Sequence, residues 1–137
     1  MDRPGYLIKL AQAALHAEMT RALQAHDATI AQYAVLTALA EVPGQSNAEL
    51  ARRAFITPQS MNENLRELER RGWIARRPHP THGRIQQIEL TDRGRATQRE
   101  CDIVVKAVEE RMLAGLDADQ RRGLTGGLQA CINALNI

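Results

Sequence analysis

Between Thr57 and Arg84 the chain gathers side chains suited to one kind of chemistry, many hydrogen bonds and charge contacts to a polyanion. Gln59, Ser60, Asn62, Glu63 and Arg66 follow Thr57-Pro58 closely. They are short to medium polar groups of the kind that hydrogen-bond base edges. Arg76 and Arg77 come next and read as phosphate contacts. Arg84 lies in a loop and is suited to a minor groove, where negative potential favours a guanidinium. Any one arginine alone reads as a solvated surface charge, but these cluster. From Ser46 to Arg99 there are eleven arginines, no lysine and six carboxylates, a surplus of +5. The whole chain carries +2, so the remainder carries −3. A basic middle between acidic ends suits a nucleic-acid-facing module held by a separate scaffold.

Chemistry that breaks bonds has no comparable signal. The four histidines, two cysteines and sixteen carboxylates form no nucleophile elbow, phosphate-binding glycine loop or metal-protease spacing. No enzyme, catalytic residue, cofactor or metal site is expected. His79 and His82 stand three apart across Pro80, and two histidines in a loop do not close a metal site unless other ligands join them. Cys101 and Cys131 lie on apolar seams, so both are expected to be small buried residues rather than redox thiols. A metal- or thiol-responsive regulator and a winged helix that binds only protein are the competing readings. The basic surplus argues against the latter.

The elements that must position the polar set are legible from their ends. Ser46-Asn47-Ala48-Glu49 is a capping box opening a short helix with Leu50, Ala51 and Ala54 on its apolar face. Thr57 caps a second helix with Pro58 at its first position, where a missing N–H costs nothing. Met61, Leu65 and Leu68 give that helix one buried face, and Gly72 ends it in a left-handed conformation. Alone it would read as an amphipathic surface helix. A capped partner before it and a hairpin after it change that reading. Strands are expected over Trp73–Pro78 and Ile85–Leu90, joined by His79-Pro80-Thr81-His82-Gly83-Arg84. Helix, turn, helix and wing in that order form a winged helix-turn-helix.

The flanks are helical. Leu7, Leu10, Ala14, Leu15, Ala22 and Leu23 make an apolar stripe on a helix of about five turns. Thr29 to Gln32 is a second capping box, opening a helix with Tyr33, Leu36, Thr37, Leu39 and Ala40 that Pro43-Gly44 stops. Thr91 caps a long helix to about Leu113, with Cys101, Val104, Val105, Val108 and Met112 along its seam. Asp117 to Gln120 caps the last helix, which carries Leu124, Leu128, Cys131, Ile132 and Leu135 and contains Gly126-Gly127. The three long terminal helices, the first and the last two, have more apolar surface than one small winged helix can cover. A homodimer with interlocked ends is therefore expected, presenting two reading helices to half-sites about 34 Å apart in a palindromic operator on double-stranded DNA. Nothing approaches a membrane span or a secretory signal, so no membrane partner and a cytoplasmic location are expected.

The chain resembles the MarR family of transcriptional regulators over nearly its whole length. The resemblance is carried by Gln32-Tyr33, Leu36 and Leu39, by Ala48-Glu49-Leu50-Ala51, and by Thr57-Pro58-Gln59-Ser60 with Leu65 and Leu68-Glu69. Gly72-Trp73-Ile74, Arg84 and Leu90-Thr91-Asp92-Arg93-Gly94 complete it. It implies a mainly α fold with a small β-hairpin wing, a single unit spanning 1–137, a DNA-binding lobe over 29–90, and a helical dimerisation region formed by 1–28 and 91–137. It also implies a repressor released by a small aromatic or phenolic effector, with Thr57, Gln59, Ser60, Asn62, Glu63 and Arg66 reading DNA and Arg84 in the minor groove. An effector pocket under the dimer helices would draw on Leu7, Leu10, Ala14, His16 and Tyr33. Two positions depart from the family pattern. His82 stands where an acidic residue commonly steadies the wing arginine, which predicts a more mobile Arg84. Phe55 stands where glycine is frequent, which predicts a buried ring or a hinge contact.

Overall fold

Capping residues divide the chain into helices before any packing is considered. The computed structural model describes residues 3–136. Its helices are α1 (Pro4–Gln24), α2 (Ile30–Glu41), α3 (Asn47–Ala54), α4 (Pro58–Arg70), α5 (Asp92–Leu113) and α6 (Ala118–Leu135), with strands β1 (Ile74–Pro78) and β2 (Gln86–Leu90) between α4 and α5. Thr29, Ser46 and Asp117 form reciprocal capping boxes with Gln32, Glu49 and Gln120. The Thr57 and Thr91 hydroxyls accept from the backbone N–H groups of Ser60 and Gly94. Both strands begin one residue later than the sequence pattern suggests.

The core lies where α1, α2, α3, α4, α5 and the hairpin converge. Leu23, Leu36, Leu39, Leu50, Met61, Leu65, Leu68, Ile88 and Cys101 are wholly buried. Val35 and the side chain of Gln45 also belong to the interior, although the sequence pattern does not single them out. Gln45 donates through Nε2 to the carbonyls of Ala38 and Val42, both at 2.9 Å, so it closes the end of α2. Its backbone adds a bridge to the hairpin: Ile88 N–H donates to Gln45 O at 2.9 Å. The strands pair antiparallel, Ile74 opposite Leu90 and Pro78 opposite Gln86.

The start of α5 clamps the lobe. Thr91 N–H donates to Trp73 O at 3.1 Å, and its hydroxyl donates to Gly72 O at 2.6 Å. The backbones then approach so closely that a Cβ on Gly94 would lie 1.9 Å from Trp73 O. Gly72 ends α4 with φ +76°, as expected.

Three expectations fail. Phe55 is neither buried nor in a hinge contact: its ring is 95 % exposed. The turn uses its backbone instead, with φ 57° and ψ 39°, so that Ile56 N–H reaches Ala51 O at 3.1 Å. Ala54 is exposed, because α3 is already ending there. Cys131 is exposed while Cys101 is buried. The reason is that α6 buries no residue in this single chain. It is tied to α5 by Arg121, which reaches Leu113 O and Glu110. Leu7, Ile8, Leu10, Ile103, Met112, Leu128 and Ile132 are all between 45 % and 68 % exposed except Leu128 at 40 %. The expected seams therefore divide: Leu23, Cys101, Val105 and Val108 are buried in this chain, whereas Leu7 and Leu10 of α1, Met112 of α5 and the apolar positions of α6 face outward.

Candidate nucleic-acid interface

Helix α4 is anchored by Met61, Leu65 and Leu68, which fixes what its other face presents. Gln59, Ser60, Glu63 and Arg66 are exposed on that face, and Asn62 is half-buried. Thr57 is occupied as the cap, its Oγ1 accepting from Ser60 N–H at 3.1 Å. The structure therefore brings the predicted reading residues onto one helix beside the hairpin.

The wing arginines separate into three situations. Arg77 is exposed and lies 3.3 Å from Glu89 across the hairpin. Arg84 is exposed and has no hydrogen bond or ion pair among the described residues. Arg76 is drawn inward, its side chain only 16 % exposed. Its Nη1 donates to Asn62 Oδ1 at 3.2 Å, and its Nε lies 3.6 Å from Glu69. It thus ties the wing to α4 through Asn62 and Glu69. Beside it runs a groove of about 330 Å³ between the wing and the first residues of α3 and α4, with Asn47, Pro58, Arg84 and Gln86 on its walls.

Asn47 was not anticipated. Its Nδ2 donates to Pro58 O at 3.2 Å, and its Oδ1 is buried without a partner. The available signal was its place directly after the Ser46 cap, where a helix-turn-helix brings the first helix against the start of the second.

Contacts between α2 and α5 join this lobe to the remaining helices. Tyr33 donates to Asp102 Oδ1 at 2.7 Å, and Gln98 donates to Thr37 at 3.4 Å. Burial first, then the bond to Asp102, pushes the Tyr33 hydroxyl up to about 12. The same bond, with Lys106 at 3.0 Å, holds Asp102 below the usual carboxylate range. At the foot of α4, hydrogen bonds from Arg70 and Arg71 lower Glu67 to about 2. Arg71 also covers the Trp73 ring at 4.8 Å and donates to Asp27 O.

The five residues expected around an effector do not meet. Leu7 and Ala14 line two neighbouring hollows among α1, α5 and α6. Leu10 and His16 are exposed and line neither. Tyr33 is held on Asp102. From α2 it turns its hydroxyl to this carboxylate of α5, and it lines neither hollow. The hollow containing Ala14, about 260 Å³, has Arg111 and Glu18 at its edge, their charged groups 3.3 Å apart. His79 and His82 pack at 4.8 Å between ring centroids, and no group of three or more potential metal ligands occurs among the described residues.

Comparison with known proteins agrees with this arrangement. A model described as MarR family matches residues 26–85. The HTH-type transcriptional repressor Rv2887 of Mycobacterium tuberculosis is 43 % identical over 122 residues, covering 88 % of each chain. The crystal structure of Rv2887 in complex with DNA superposes with a TM-score of 0.81 at 37 % identity, covering 96 % of this chain and 98 % of that one. Its complex with salicylic acid gives 0.77 at 39 % identity, covering 96 % and 97 %.

Proposed function

Since the chain belongs to the MarR family, we propose that it is a DNA-binding transcriptional repressor released by a small phenolic or aromatic acid. One observation carries the DNA-binding half. An anchored helix presents Gln59, Ser60, Glu63 and Arg66 beside a wing whose Arg84 has no partner among the described residues. A guanidinium left in water beside a reading helix suits a phosphate-lined groove. Residues 29–90 act as the reading lobe, and 1–28 with 91–137 as the dimerisation region. The outward apolar seams of α1, α5 and α6 support a homodimer, which would address a palindromic operator. No helix among the described residues is long and apolar enough to cross a membrane, and the protein acts in the cytoplasm, without catalytic activity.

The effector half follows from the relative that binds salicylic acid and from chemistry here. An acid needs a cation beside an apolar wall. Arg111, next to Ala14, Val108 and Met112, supplies both, and the incoming carboxylate would replace Glu18. The lobe link through Tyr33–Asp102 lies along the same α5. A shift of α5 therefore changes the spacing of the two lobes, which a fixed pair of half-sites cannot follow.

DNA retained by the purified protein from a genomic pool supplies the operator, and fluorescence anisotropy with that duplex measures binding. Titrated salicylate is expected to release it. Calorimetry is expected to show weaker salicylate binding to the DNA complex than to the free protein, by the same factor. Equal affinity for the two forms would remove salicylate as an effector. No retained sequence preference would remove the repressor reading.

A further inference from the structure

The wing presents Arg84 on a loop with no carboxylate inside it. The position two before Arg84 is His82, which leaves open what steadies the arginine. The hydrogen bonds of the loop answer this. His79 Nδ1 accepts from the backbone N–H of Thr81 at 3.1 Å and from that of His82 at 3.2 Å, with the Thr81 hydroxyl at 3.3 Å. The next bonds continue from the residue so held: Ile85 N–H donates to His82 O at 3.0 Å, closing a tight turn with Arg84 inside it. His79 N–H donates to Ile85 O at 2.9 Å and closes the loop onto the strands. The two backbone bonds that bracket Arg84 therefore both involve Ile85, and their other ends are His79 and the residue its ring holds.

We infer that His79 is a positioning residue for DNA binding: its imidazole nitrogen fastens the wing loop and so fixes where Arg84 enters the groove. The inference rests on the DNA-binding reading of the wing. The chemistry is that of an asparagine or aspartate turn, in which a side-chain acceptor collects N–H groups two and three residues on. Here a ring nitrogen plays that part. It can do so only without a proton on Nδ1, so the proton of the neutral ring sits on Nε2. The His82 ring, tilted 51° against it, gives the pair a packed contact. The usual acidic residue two before the arginine is thus replaced by a histidine acceptor, His79, three residues before His82.

The test uses the full-length protein, the operator duplex, and four variants: Arg84→Ala, His79→Ala, His79→Asn and the double alanine. Asparagine keeps an acceptor at the required reach and removes the ring. Arg84→Ala is expected to weaken binding by about tenfold, the loss of one well-placed groove contact. His79→Ala should give most of that loss, and the double variant no more than Arg84→Ala alone. His79→Asn should return affinity to within about twofold of the parent, because the backbone again has its acceptor. Nitrogen-15 shifts of the imidazole should show the Nε2–H tautomer, and thermal melts should be unchanged because the loop lies outside the core. If Arg84→Ala weakens binding but His79→Ala does not, the inference is overturned. It is equally overturned if the two losses multiply or if asparagine fails to rescue. If Arg84→Ala binds like the parent, the reading of the wing itself fails, and that outcome is distinguishable from the others.

Discussion

Arg76 offers the sharpest test of how wing and reading helix cooperate. An exposed arginine at this place would weaken binding to every sequence alike. The observed arginine is 16 % exposed and bonded to Asn62 at 3.2 Å, with Glu69 at 3.6 Å. Removing it should free the Asn62 side chain, which binding must then re-immobilise. That ordering costs about 0.5–1.5 kcal/mol for one side chain. The 3.2 Å bond is of ordinary length and Glu69 is half exposed, so a value near the middle is expected, roughly 1 kcal/mol or about fivefold in affinity. A double-mutant cycle isolates this term. Arg76→Ala and Asn62→Ala should each weaken operator binding, and together should lose about 1 kcal/mol less than their sum. On scrambled duplex the coupling should vanish, because Asn62 makes no base contact there. Arg77→Ala serves as the reference, lowering affinity for both duplexes and reducing the salt slope by about one phosphate. Anisotropy titrations at several salt concentrations measure all these quantities. Additivity on the operator to within about 0.3 kcal/mol would refute the tie between Arg76 and Asn62.

Other consequences follow from single positions. Gly94→Ala drives a Cβ against Trp73 O, so a loss of roughly 2–4 kcal/mol and a Tm lower by about 5–15 °C are expected in a thermal melt; an unchanged Tm would show that the α5 clamp is looser than described. Phe55→Gly should raise stability by about 1 kcal/mol, because it removes a left-handed conformation from a bulky residue whose ring touches little; denaturant titration measures the gain, and a loss would mean the ring has a partner. Glu67 is depressed to about 2, so its contribution is present above the usual carboxylate range and lost as pH falls from there through about 2; Glu67→Gln should flatten that part of the Tm–pH profile. Tyr33 is raised to about 12, so its contribution is present below 10 and lost as pH climbs towards 12; Tyr33→Phe should flatten the alkaline limb, and profiles parallel to the parent would refute both assignments. Leu128→Asp places a charge on an apolar face of α6, and sedimentation at micromolar concentration should then find a monomer where the parent sediments as a dimer.

Local chemistry was written in the sequence because it needs only near neighbours. The Thr29, Ser46 and Asp117 boxes, the Thr57 and Thr91 caps and the left-handed Gly72 all depend on residues a few positions apart. The apolar spacing of Met61, Leu65 and Leu68 likewise decided which face of α4 is left exposed. Tertiary structure decided what depends on approach between distant segments. No spacing says that Arg76 turns inward to Asn62, that Tyr33 leaves the α1 stripe for Asp102, or that Gln45 caps α2 and bridges to Ile88. Nor does hydropathy distinguish a seam buried in its own chain from one left for another, which is why Cys101 is enclosed and Cys131 is not. A side chain's helical face is fixed by periodicity, whereas its partner is fixed by the angle at which two elements meet, and that angle is a property of the packed whole.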